Sequence, residues 1–249
     1  TSMQNRGYIM PGLGTVINCA GVIGGGLLGL TIKRGLPERF QNILIQAVGL
    51  CVIFLGISGT LQEIFSVGEK GIASGGTMMM IFSLSLGALL GELLNIEKHT
   101  EEFGEWIKIK SGSGGDTKFV DGFVSTSLTI CIGAMAVVGA IRDGITGDIS
   151  MLCAKAVLDA IIVFVMASSI GKGCIFSVIP LGLFQGGITL LSRVIEPLLT
   201  GQAVSNMSLV GSMLIFCVGV NLMFHQKIKV ANMLPALIFA VISAFLPFF

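Results

Sequence analysis

A chain of 249 residues that is 53% hydrophobic and only 12% charged cannot cover itself with a water-soluble surface, since an ordinary soluble domain carries roughly 25% charged residues. A net charge of +1, with no basic tract longer than Lys33-Arg34, supplies no phosphate-neutralising patch, so nucleic acid is excluded as an expected partner. The expected partner is the lipid bilayer.

Apolar windows long enough to cross about 30 Å of hydrocarbon predict eight spans, at 10–31, 39–62, 73–94, 119–141, 150–171, 174–194, 206–225 and 230–249. The breaks between them hold residues that are costly to bury as helix: Lys33-Arg34-Gly35-Leu36-Pro37, Arg142-Asp143-Gly144, Gly171-Lys172-Gly173 and Glu196-Pro197. None of the long runs alternates in polarity, which excludes a β-barrel. The expected fold is all-α, a single polytopic transmembrane helix bundle over 1–249. Its 35 glycines suit helices that dock backbone to backbone. The ridges Gly21 to Gly29 and Gly87 to Gly91 could dock helices within the chain or support a homodimer.

Between the third and fourth spans, 95–118 is the one sizeable polar stretch. Ile96, Phe103, Trp106 and Ile107 recur among acidic residues and precede the linker Ser111-Gly112-Ser113-Gly114-Gly115, which predicts a short helix lying on the membrane surface. Cytoplasmic loops accumulate lysine and arginine. With the amino terminus outside, Lys33, Arg34, Arg39, Lys98, Lys108, Lys110, Lys118, Lys172, Lys227 and Lys229 fall inside, against Arg6, Lys70, Arg142 and Arg193 outside. Both termini are therefore expected outside.

An internal repeat links the two ends of the chain. Val16, Ile17, Gly24, Gly25, Leu28, Leu36, Val48, Gly49, Ile53 and Phe54 recur 162 residues later as Val178, Ile179, Gly186, Gly187, Leu190, Leu198, Val210, Gly211, Ile215 and Phe216. The offset of five spans is odd, so the two copies (10–94 and 174–249, flanking central spans over 119–171) are expected to face opposite ways. Inverted repeats of this kind are a frequent build of secondary transporters.

Ionisable residues deep in lipid cost at least roughly 2.5 kcal/mol each and usually serve function. Lys155 and Asp159 lie one turn apart on the fifth span, so their side chains can meet. Asp159 is the expected site for a proton or sodium ion, with Lys155 tuning it or standing in when the site is empty; a purely structural ion pair is the alternative. Gly24-Gly25 and Gly186-Gly187 sit at matching places in the repeat and are expected to interrupt their helices, with Asn18 and Gln185 beside them as a polar cradle. Ser127, in a hydroxyl-rich fourth span, completes the candidate set, although hydroxyls in helices more often bond back to their own carbonyls. Asn221, Gln46 and Glu92 are weaker candidates. His99 and His225 lack ligand spacing and the six cysteines form no CxxC pair, so no metal, cofactor or enzyme chemistry is expected.

Several stretches together resemble the bacterial membrane family called domain of unknown function 554, the YqgA-like proteins. They are Gly12-Leu13-Gly14-Thr15-Val16-Ile17-Asn18, Leu36-Pro37-Glu38-Arg39, Leu89-Leu90-Gly91-Glu92, Asp121-Gly122-Phe123, Gly133-Ala134-Met135-Ala136, Asp143-Gly144 with Gly147-Asp148, Lys155 to Asp159, and Val230-Ala231-Asn232-Met233-Leu234-Pro235-Ala236. Asp121 stands where glutamate is more usual, keeping the charge type. The resemblance implies a bacterial multi-pass inner-membrane protein and brings no substrate with it. The residues themselves predict a secondary transporter for a small ion or metabolite working by alternating access, with a channel on the same bundle or a non-transporting scaffold as the other readings.

Overall fold

The computed structural model describes residues 11–33, 37–68, 71–224 and 228–246. Of the residues discussed above, Arg6, Arg34, Gly35, Leu36, Lys70, His225 and Lys227 lie outside them. The helices are α1 (Leu13–Lys33), α2 (Glu38–Ile64), α3 (Thr77–Leu94), α4 (Ile96–Lys110), α5 (Phe119–Cys131), α6 (Ala134–Thr146), α7 (Ser150–Ser169), α8 (Gly173–Phe176), α9 (Val178–Leu190), α10 (Ser192–Ile195), α11 (Gly201–Phe224) and α12 (Ala236–Ser243). A small antiparallel hairpin, β1 (Phe65–Gly68) with β2 (Gly71–Ser74), joins α2 to α3 and is an addition to an otherwise helical chain.

Among the described residues, six helices are long and apolar enough to cross a membrane: α1, α2, α3, α7, Gly173–Leu190 and α11. Taken as one bent unit, α5 and α6 make a seventh, with a 62° angle between the two parts. The eighth expected span is shorter than 230–249 suggested, because a 3-10 turn at Ala231–Met233 leaves only Ala236–Ser243 as α-helix among the described residues. A second correction concerns Arg142-Asp143-Gly144. These residues lie inside α6 and make no loop; the chain leaves the helix at Gly147, whose φ of 70° suits a helix C-terminus that only glycine enters freely.

Glycine seams set the helix directions. A Cβ on Gly21 would stand 2.9 Å from the Ala156 carbonyl oxygen, and Cβ atoms on Gly25 and Gly29 would strike the carbonyls of Ala160 and Phe164. Numbers rise together, so α1 and α7 run parallel with backbones in contact. Polar groups close both ends of this seam: Asp143 accepts the Gly12 and Gly14 amides at 3.1 and 3.0 Å where α1 begins, and Lys33 donates to the Ile170 carbonyl where α7 ends. The pair α2 and α11 is antiparallel, with Gly49, Gly56 and Gly59 against Met223, Phe216 and Ser212. So is α3 with the carboxy-terminal stretch, with Gly87 on Ala236 and Gly91 on Asn232. The glycine ridges considered for a second copy are thus spent inside one chain, where only small residues allow this approach.

The polar stretch after α3 forms a helix over most of its length. Asn95, at φ 51°, is the one non-glycine residue with positive φ among those described, and it turns the chain from α3 into α4. Gly104 presses on Phe123, Phe103 packs edge-on to the same ring with centroids 5.9 Å apart, and Ile107 is buried, while Trp106 and Ile109 remain exposed. The end of the bundle carrying α4 is called the α4 end below.

Candidate functional site

The break between α5 and α6 creates the site. The α-helix stops at Cys131, and Gly133 at φ 144° takes a backbone conformation closed to side-chain-bearing residues. Ending a helix leaves its last carbonyls without intrahelical partners. One of them, the Ile130 carbonyl, accepts a 2.7 Å hydrogen bond from Lys155 Nζ, reaching across from α7. Lys155 also donates to Asp159 Oδ2 one turn further along its own helix. Both side chains are nearly inaccessible, at 8% and 5% exposure, so neither ion of the pair is open to bulk solvent. The unwound backbone and the carboxylate together supply the ammonium's partners, which is what a buried cation requires.

Two amides complete the cluster. Asn18 Nδ2 on α1 donates to Asp159 Oδ2 at 2.9 Å and to Gln185 Oε1 on α9 at 3.2 Å. Both amide residues are fully buried. The same contacts fix the direction of α1 against α8 and α9: Asn18 meets Gln185 and Cys19 faces Gly182 on α9, and Gly26 faces Ile175 on α8, so α1 runs antiparallel to this stretch. Residues from α1, α5, α7 and α9, spread over more than 160 positions of sequence, thus converge on one ion pair.

Four of the five expected site residues, Asn18, Lys155, Asp159 and Gln185, are brought together. Ser127 is not among them: its hydroxyl bonds back to the Phe123 carbonyl at 2.6 Å, and its side chain lines a shallow groove with Phe123 and Pro180. The expected helix interruptions also fall elsewhere. Both α1 and α9 run unbroken through Gly24-Gly25 and Gly186-Gly187; Gly25 serves the α7 seam, and Gly24, Gly186 and Gly187 have nothing within 4 Å of a Cβ. The break lies at Ile132-Gly133, inside an uninterrupted apolar run, where hydropathy gives no signal. Asp143 was also missed as a buried group, because its neighbours Arg142 and Gly144 read as a loop. Gln46 is exposed, and Asn221 closes a turn by pairing with Ile228 at 2.8 and 3.0 Å.

At the α4 end a cavity of about 550 Å³ opens between α2, α4, α5, α11 and the 228–232 stretch. Glu97, Lys98, Glu101 and Lys118 are among the residues that line it, together with apolar Val124 and Leu128, the latter two residues from Ile130. A polar lock ties α3 and α4 to the carboxy-terminal stretch beside it. Glu92 accepts from Lys229 Nζ and Asn232 Nδ2, both at 2.6 Å, while the Glu97 amide donates to Asn232 Oδ1 at 2.6 Å and its carboxylate accepts from the Ala231 amide at 2.8 Å. Burial pushes the Glu97 carboxyl above the ordinary carboxylate range, and the Ala231 hydrogen bond opposes the rise.

The family model described as "Protein of unknown function (DUF554)" matches residues 13–245. The chain belongs to this family. It is 29% identical to the uncharacterized membrane protein YdfK of Bacillus subtilis (strain 168), over 90% of this chain and 92% of that one. It is 28% identical to the uncharacterized protein YqgA of Escherichia coli (strain K12), over 92% of this chain and 94% of the relative. No solved structure matches it. The stretches that carried the resemblance meet in space: those around Glu92 and Asn232 form the lock, and those holding Asn18 and Asp159 form the site.

Proposed function

We propose that this DUF554 member is a secondary transporter that moves a small ion or metabolite by alternating access, with Asp159, Lys155, Asn18 and Gln185 as its substrate or ion site. The observation that carries the reading is the buried ion pair on an unwound helix end. Discontinuous spanning helices with freed backbone groups are where transporters of this kind bind their cargo, and a buried charge pair is expensive to keep for structure alone.

The helix directions support an inverted repeat of spans one to three and six to eight. The antiparallel course of α1 and α9 is what inversion requires, and α2 and α11 seat on each other reciprocally. Gly56 receives Phe216 and Gly219 receives Ile53; the two glycines lie 163 positions apart, as do Ile53 and Phe216, one away from the 162-residue offset in the sequence. The reading places the protein in the bacterial inner membrane with the α4 end inside. Lys33, Arg39, Lys98, Lys118, Lys172 and Lys229 belong to that end, while Arg142 and Arg193 lie at the other. No bond-breaking chemistry is assigned to it, because the cluster offers no activated nucleophile.

A thermal-unfolding screen of purified protein against small metabolites and monovalent salts tests the proposal, since a ligand that binds only the folded state raises its stability by mass action. The expected result is a shift in the wild type that is lost in Asp159→Asn. Equal shifts in both proteins would remove the site, and unitary conductance in planar bilayers would make the protein a channel.

A further inference from the structure

The polar atoms that the site leaves over have a pattern of their own. Among the described residues, the buried side-chain atoms without a hydrogen-bond partner are Thr15 Oγ1, Asn18 Oδ1, Gln185 Nε2 and Thr189 Oγ1. They come from two facing helices at two matching levels. Asn18 meets Gln185, and Thr15 and Thr189 each lie one turn further from the α4 end, on the buried faces of α1 and α9. The next group along is Asp143, fully buried, holding the Gly12 and Gly14 amides, while Gly144 beside it packs against the Thr189 carbonyl and Ser192. Gly12 itself is half-buried, and Pro11 before it is exposed. A column of acid, hydroxyls, amides and acid therefore runs from the surface opposite α4 to Asp159.

Buried polar atoms are rarely left unpaired in folded proteins, and four on one seam point to a small shared partner. Thr15 and Asn18 are about 4.5 Å apart along the helix axis, a gap that one water bridges with two hydrogen bonds. We infer that this column is a hydrated proton path and that the ion handled by Lys155 and Asp159 is the proton. The inference rests on the transport reading above and names its coupling ion and route.

The step balances without another reactant. A proton arriving at Asp143 is passed along water and threonine oxygens, each accepting one hydrogen and donating another inward, until an O–H bond forms on Asp159. The ion pair breaks there, Lys155 keeps its proton and its bond to the Ile130 carbonyl, and one positive charge has entered the membrane. Sodium fits the same place poorly. Asp159 Oδ2 already accepts from Lys155 and Asn18, so a metal ion bound to this carboxylate would lie beside an ammonium and be repelled by it, whereas an added proton neutralises the carboxylate and leaves the ammonium in place.

Among the described residues, the other titratable groups near Asp159 are the thiols of Cys19 on α1 and Cys131 on α5. From α9 comes only neutral Gln185, and the acidic and basic residues of α2 sit near its ends at Glu38, Arg39 and Glu63. Around Asp143 the charged residues on neighbouring segments are Arg142 and Asp148, 3.9 Å apart, and Arg193.

Proteoliposomes of the full chain on a solid-supported membrane, stepped in pH at constant sodium and in sodium at constant pH, test this without a known solute. The pH step should give a transient charge displacement that disappears in Asp159→Asn and slows by about tenfold or more in Thr15→Val/Thr189→Val. Thr15→Ser/Thr189→Ser, which keeps both hydroxyls, should run at the wild-type rate. Thermal unfolding establishes that each variant is folded, and the single Thr15→Val replaces the pair if it is not. A wild-type rate in the valine variant overturns the path. A transient on the sodium step alone overturns the proton assignment and leaves transport standing, as does solute-induced stabilisation with no transient on either step. Absence of both transients and of any solute effect overturns the two readings together.

Discussion

At the α4 end, Glu92, Glu97, Lys229 and Asn232 hold one another and the backbone through well-formed hydrogen bonds beside an open cavity, whereas between α1 and α9 four buried polar atoms face each other unpartnered. Both regions join distant parts of the chain, and both draw on side chains that hydropathy alone would place at the membrane surface or overlook. The difference lies in what each arrangement is good for. A satisfied lock has one favoured state, while an unsatisfied seam around an ion pair gains from a visiting water or ion and can change state when it arrives.

The largest expected effect breaks the seam at its charged centre. Asp159→Leu leaves the buried Lys155 without its counter-charge, and should cost about 3–5 kcal/mol in denaturant unfolding; Lys155→Met/Asp159→Leu should recover most of it, since replacing a buried pair with apolar residues is often neutral. A double variant as unstable as the single would mean that the pair holds the bundle by more than its own charge balance. Next comes a steric contrast between the two regions. Gly91→Ala drives a methyl into the Asn232 carbonyl of the lock and should destabilise by about 1–3 kcal/mol, while Gly186→Ala meets nothing within 4 Å and should be neutral or gain up to about 1 kcal/mol. Melting curves of the two variants in one detergent decide the order.

Smaller effects sharpen the contrast. Thr15→Val/Thr189→Val removes two orphaned hydroxyls at nearly constant shape and should leave stability unchanged within about 1 kcal/mol, because an unsatisfied group contributes little to the fold that holds it. A large loss on chemical denaturation would show that these hydroxyls are structural. Last, the lock should respond to pH. Burial raises the Glu97 pKa above its usual 4.5, so the folded state holds that proton more tightly than the unfolded one. Its contribution is therefore fully present below that ordinary value and lost as pH rises through the raised one. Melting temperatures across this window should carry that slope in the wild type and lose it in Glu97→Gln.

Much of this was legible in the residues. Lys155 and Asp159 are four apart in an apolar run, which forces them onto one helix face, and Asn18 and Gln185 were marked by their polarity at matching places of a repeat. The reach of Lys155 to Ile130 was not legible, because a carbonyl freed by a helix end carries no signature in residue type. Ser127 looked like a ligand by composition, and a hydrogen bond to its own helix took it away. Asp143 looked like a loop residue, yet it caps a helix that begins 130 positions earlier.

The sequence by itself determined that the chain lives in lipid, where most of its long apolar helices lie, and that one carboxylate and one ammonium would meet among them. Those are consequences of length, polarity and helical period, which act locally. Only the tertiary structure decided where a helix breaks, which glycines are covered by a neighbouring backbone and which polar atoms go unpaired. Each of these depends on what a distant segment places opposite, and in lipid it is packing and hydrogen bonding between helices that make the choice.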